Sequence, residues 1–218
     1  MSESRHRFRE DLDEVSLRCG DLAAGIAGHL RKLAEWGVPD EALVEALRAA
    51  SARTIESTED LEQMCASLVL REQPVAGDLR MVLAVLRLVN NIERSARLLE
   101  HTAEALITIS SVDAPAPVVD AVAELRDRAV SLFEFAVTAF RSGDVDLAEA
   151  IRRGDDAVDT AAIELRRVAN EHWAGAVSPA EVDAIMATGL VGRYLERIGD
   201  HATVLGSEAI YVRTGDRG

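Results

Sequence analysis

The sequence predicts an all-α protein built as two tandem three-helix bundles, and three observations carry that expectation. The chain is 48% apolar but only 4% aromatic, with Ala, Leu, Val, Glu and Arg dominant, a balance that favours helix over a β-branched, aromatic-rich sheet. Helix-breaking residues recur at five places and leave six long stretches between them. Finally, Asn91-Ile-Glu-Arg-Ser-Ala-Arg97 in the third stretch aligns without gaps to Tyr194-Leu-Glu-Arg-Ile-Gly-Asp200 in the sixth. Both lie near the middle of their stretch, as a duplicated three-helix unit requires.

In order, the first helix is predicted over 4–36, ended by Gly37 and Pro39. Asp40 and Glu41 mark the start of the second, predicted over 39–71 and closed by Gln73-Pro74. The third is predicted over 75–111. Asp78 in its first turn complements the helix dipole, and Met81, Val85, Leu88, Ile92 and Leu99 give it a core face at helical spacing. The Pro-rich run Asp113-Ala-Pro-Ala-Pro117 then divides a first repeat at 1–112 from a second at 113–218. The fourth helix is predicted over 117–142, up to Gly143-Asp144, and the fifth over 145–173. The sixth, over 179–213, has the clearest start: Ser178 can cap, Pro179 suits the first helical position and Glu181 completes a capping box. Its core stripe is read through Val191, Tyr194, Ile198, Ala202 and Leu205. Long helices joined by short turns should run antiparallel.

The formal net charge of −14 sets nucleic acid or an anionic membrane against the protein's average field, so no nucleic-acid partner is expected. Residues 1–14 mix Arg, Glu and Asp and do not read as a secretory leader, and the longest apolar run, 81–89, is broken by Arg87; a cytoplasmic chain is expected. Cys19 and Cys65 lack a paired spacing and read as two reduced thiols within helices. His6, His29, His101 and His172 have no partner at ligand spacing. There is no Ser/His/Asp set, Gly-rich phosphate loop or nucleophile elbow, so no catalysis is expected. Arg87, Arg94 and Arg97 form a basic strip on the third helix that reads as a solvated face.

Acidic residues are more informative. Asp155 and Asp159 in the fifth helix, and Glu196 and Asp200 in the sixth, are each spaced i, i+4, which puts both carboxylates of a pair on one side of its helix. In the sixth helix that side is nearly opposite the apolar stripe, so a surface position is expected. The spacing leaves two readings open. The acids could be solvated, with Arg193–Glu196 and Arg197–Asp200 as weak intrahelical pairs. Alternatively they could converge on a hard cation such as Mg, Mn, Ca or Fe, which all-oxygen ligands suit. His201 diverges from Asp200 by about a hundred degrees on the helix and is not expected to join.

Four segments carry a resemblance: Gln73-Pro-Val-Ala-Gly-Asp-Leu-Arg80, Gly154-Asp-Asp-Ala-Val-Asp159, Gly192-Arg-Tyr-Leu-Glu-Arg-Ile-Gly-Asp-His-Ala202 and Glu208-Ala-Ile-Tyr-Val-Arg-Thr-Gly215. Together they resemble the PhoU family, the accessory proteins of the phosphate-specific transport system, over nearly the whole chain. The resemblance implies a pair of three-helix bundles, cytoplasmic and often homodimeric, reaching the membrane only through partners. It implies a negative regulator of phosphate uptake and of the phosphate-starvation response that couples the phosphate ABC transporter ATPase to a sensor histidine kinase, with no catalytic activity. The family also holds surface metal clusters with an acid, three intervening residues, then Asp or Asn. By that similarity Asp155, Asp159, Glu196 and Asp200 are expected to hold a divalent or iron-type metal ion in the second repeat.

The first repeat departs from this pattern. Glu93 is kept, but Arg97 stands where the second acid is expected, and the helix-two positions fall near Ser51 and Ile55. An arginine there repels a cation. Glu56 and Asp60 are nearby at i, i+4, but a one-residue shift turns them to another direction. One metal site per chain is therefore expected, with a Glu93–Arg97 ion pair replacing the other. Two rival readings accompany this one: a metal-dependent carboxylate-bundle enzyme, against which the missing histidines count, and a structural adaptor with no metal.

Overall fold

The structure, a computed structural model, describes residues 2–35, 39–173, 175 and 178–216. Six helices follow one another: α1 Ser2–Glu35, α2 Glu41–Glu72, α3 Ala76–Ser110, α4 Ala116–Ser142, α5 Val145–His172 and α6 Pro179–Thr214. Each matches an expected helix to within a few residues. The expected end of the first helix at Trp36, and the break at Gly37, lie outside the described residues.

The ends follow from local chemistry. Asp40 accepts a hydrogen bond from the Leu43 amide and starts α2, and Asp144 does the same for α5 through Leu147. Ser178 and Glu181 make both bonds of the capping box on α6. Such a cap is worth about 1 kcal/mol. α4 stops at Gly143, whose φ of 65° places it in the left-handed region that glycine adopts without strain. α2 stops at Gln73, also left-handed at φ 47°, immediately before Pro74.

α1, α2 and α3 pack on one another, as do α4, α5 and α6, and the two triplets meet through α3 against α6 and α1 against α4. Cross-links fix the direction of both junctions. Arg87, Ser95 and His101 of α3 reach Glu208, His201 and Tyr194 of α6, partner numbers falling as α3 advances, so the two helices are antiparallel. Arg31 and Arg141 likewise pair α1 with α4 through Asp21 and Glu134, Arg31 to Glu134 and Arg141 to Asp21. Leu30, Leu61, Leu88, Leu125, Leu165 and Leu195, one from each helix, all belong to a single continuous core. Each buried leucine contributes about 1.5–3 kcal/mol.

Two expectations need correction. Tyr194 is only half-buried, with its ring 5.8 Å from His101; Leu195 holds the core position and is fully buried. α6 is flanked by α3, α4 and α5, so its buried surface is wider than one stripe and extends past the tyrosine. Arg87 does not belong to a solvated basic face: its Nη1 lies 3.2 Å from the Glu208 carboxylate and its guanidinium sits 5.3 Å above the Tyr211 ring. The antiparallel α6 supplies both groups, and α3 alone gives no sign of them. Cys19 and Cys65 are free and buried, and burial pushes their thiols up to about 12 and about 11.

Candidate metal centre

α6 carries glycine at 192, 199 and 206, one every two turns, and α5 presents Leu165, Val158 and Ile151 to them in antiparallel order. A Cβ at Gly192 would lie 3.5 Å from Leu165, at Gly199 3.2 Å from Val158 and at Gly206 2.7 Å from Ile151. The three aliphatic side chains thus seat directly on the α6 backbone, which draws the two helices together. Beside the middle of this seam stand the two predicted acidic pairs, Asp155 and Asp159 from α5, Glu196 and Asp200 from α6.

Asp155 is the inner member. Its Oδ1 is buried with no hydrogen-bond partner, and it would be 3.5 Å from a Cβ on Gly199. Burial, followed by the charges of Asp159, Asp200, Asp156 and Glu196, pushes its carboxyl up to about 6. Asp200 is pushed up as well, by burial and by Asp159, while Arg193 and Arg197 oppose the shift. These mutual effects show that α5 and α6 bring the four acids into one electrostatic cluster, to which Asp156, unassigned from sequence, contributes a fifth charge. Asp159 and Asp200 are exposed, Glu196 is half-buried, and Arg193 stands 3.6 Å from Glu196. The surface location expected for the sixth-helix pair therefore holds for Asp200, while Glu196 is half-buried, as is Asp155 of α5, whose enclosed Oδ1 lies beside Gly199.

The donor set fits a hard cation in its chemistry: carboxylate oxygens only, one of them buried and unpaired, in a cluster whose own repulsion disfavours ionisation. As the side chains stand, however, no three His, Cys, Asp or Glu among the described residues form a group that could hold a metal ion. His201 is buried on the other side of α6, hydrogen-bonded to the Ser95 hydroxyl at 2.9 Å. Burial and the charges of Arg197 and Arg94 lower its imidazole to about 4 and keep it neutral.

The corresponding place in the first triplet has a different character. Arg97 donates to Glu93 at 2.9 Å, the ion pair expected from their spacing. Ser51 is buried and Ile55 half-buried, and neither supplies a charge. Asp60 lines a shallow cleft with Arg18 and Asp21 of α1, so it turns away from α3.

Comparison with known proteins agrees with this architecture. The family signature described as the PhoU domain matches residues 39–106 and again 122–209. A Mycobacterium tuberculosis protein named phosphate-specific transport system accessory protein PhoU homolog 2 is 30% identical, the match spanning 97% of this chain and 98% of that one. A Thermotoga maritima protein named PhoU homolog 1 of the same system is 28% identical over 73% of this chain and 68% of its own length. In fold, the crystal structure of the phosphate transport system regulatory protein PhoU from Streptococcus pneumoniae superposes with a TM-score of 0.85 at 18% identity, covering 97% of this chain and 99% of that one. PhoU from Pseudomonas aeruginosa gives 0.77 at 21% identity, covering 98% and 99%. With both halves matched by the family signature and a relative aligned almost end to end, the chain belongs to the PhoU family.

Proposed function

We propose that this protein is a negative regulator of phosphate uptake and of the phosphate-starvation response, acting through contacts with the phosphate ABC transporter ATPase and a sensor histidine kinase. The observation that carries the reading is the PhoU-domain match in both halves of the chain, supported by relatives named as accessory proteins of phosphate-specific transport. It works by protein–protein contact rather than by turnover, in the cytoplasm, as a homodimer that meets the membrane through its partners. No helix among the described residues is long and apolar enough to cross a membrane.

A divalent or iron-type cation belongs to this proposal as a structural element. Asp155, Asp159, Glu196 and Asp200 would hold it, and it would offset their repulsion and tie α5 to α6. The unpaired Oδ1 of Asp155 supports that role. An all-carboxylate donor set with the nearest histidine turned away favours structure over redox or hydrolytic chemistry.

The deciding experiment is affinity capture of the tagged protein from cytoplasm and solubilised membranes of cells grown in high and low phosphate. Retention of the transporter ATPase or the sensor kinase in a phosphate-dependent manner is the expected result. Loss of both partners from folded protein would overturn the regulatory reading and leave the fold untouched.

A further inference from the structure

A cleft of about 430 Å³ opens where α3 ends and α4 begins, with Leu106 and Ile109 on one side and Val119, Val122, Ala123 and Arg126 on the other. Its walls are almost wholly aliphatic. Arg126 is 8% exposed and, among the described residues, is the one buried arginine or lysine. Its Nη1 donates to the Leu33 carbonyl near the end of α1 at 3.3 Å, but its Nε is buried without any hydrogen-bond partner. The nearest carboxylate, Asp127, is 3.8 Å from Nε and its own side chain is 65% exposed. The contrast with Glu208 is direct, since that buried carboxylate faces Arg87 at 3.2 Å.

Burying a charge whose one counter-charge is a solvent-exposed carboxylate at 3.8 Å is expensive, because the exposed partner returns little of the lost hydration. Burial already pulls the Arg126 guanidinium downward, with Asp127 opposing only in part. An anion at this position would have to enter through the cleft, and the cleft wall favours an apolar body behind the anionic head.

We propose that the α3–α4 cleft binds an amphipathic monocarboxylate, a medium-chain alkyl acid, with its carboxylate on Arg126 and its chain along the aliphatic walls. One buried cation in an apolar cleft selects a single negative charge with a tail, and inorganic anions would gain nothing from Leu106, Ile109 and Val122. The volume falls at the lower end of the range of small-molecule sites, about 300–1,000 Å³, which suits one chain and not a two-chain lipid. A folded protein partner would need about 800 Å² of surface on each side, far more than this cleft offers.

The test is calorimetric titration of the full chain with sodium decanoate below its micelle-forming concentration and with 1-decanol below its solubility limit. Decanoate should bind the native protein at least tenfold more tightly than decanol. Arg126→Gln should bring the two to equal affinity, and Ala123→Trp, which fills the cleft and leaves Arg126 in place, should abolish binding of both while the helical circular dichroism is unchanged. If Arg126→Gln fails to fold because it also caps α1, Ala123→Trp decides alone. Equal affinity for decanoate and decanol in the native protein, no binding of either, or decanoate binding that survives Ala123→Trp would overturn the proposal and leave Arg126 as a cap on α1 only.

Discussion

Asp155 shows how much a single oxygen can decide. Its carboxyl is raised to about 6 by burial and by four neighbouring acids, so ionisation costs more in the folded chain than in the unfolded one. For an acid raised in this way, the folded state binds more protons between the two titrations, and stability falls as pH rises from about 4 to about 6. Asp155→Asn removes that dependence. In chelator-treated protein at neutral pH it should gain about 1 kcal/mol after discounting for solvent screening, a rise of about 2–4 °C in Tm. In the presence of a divalent cation the same substitution should lose whatever stabilisation the ion gives, and thermal melts with and without chelator check both signs. The i, i+4 acidic pairs were legible because helical spacing is local, and so was the Glu93–Arg97 ion pair. The burial of Asp155 was not, because it depends on Gly199 in a different helix; nor were the partners of Arg87 and Arg126, which come from α6 and α1.

At the scale of helices, the α5–α6 seam depends on Gly192, Gly199 and Gly206. Gly199→Leu would drive a side chain into Val158 and the space beside Asp155. Overpacking of this kind costs about 1–3 kcal/mol, and the separation of α5 from α6 should also remove any cation-dependent rise in Tm. A variant that melts like the native protein and still responds to cation would show that the seam does not position the acids. The helices themselves were readable from caps, prolines and apolar period, since these signals sit within a turn of the boundary they set. The seam was harder to see: Gly192, Gly199 and Gly206 look like weak helix formers until the facing Leu165, Val158 and Ile151 explain them.

For the whole molecule, the notable fact is that the two triplets share one core. Arg87 and Glu208 span that junction, and Arg87→Ala would take the arginine away from a carboxylate that is only 4% exposed. The expected cost is about 2–3 kcal/mol, below the usual figure for a fully buried pair because Arg87 is itself partly exposed. Denaturant unfolding should show the loss as one shifted transition, whereas two separate transitions would mean that the triplets unfold independently. Sequence repetition suggested two units in a row but was silent on how they meet, because contact between α3 and α6 joins residues far apart in the chain, His101 with Tyr194 and Arg87 with Glu208.

That junction makes the covalent link between the halves dispensable once the chain has folded. The turn at 111–115 is a short connection, exposed at Ser111 and Asp113 and half-buried at Val112, Ala114 and Pro115, while the surfaces holding the triplets together are helices packed along their sides. A molecule cut once by a protease in this turn should migrate as two fragments on a denaturing gel yet elute from a sizing column at the position of the intact protein. The two fragments, expressed separately, would then serve as a split pair that regains the native outline only on mixing.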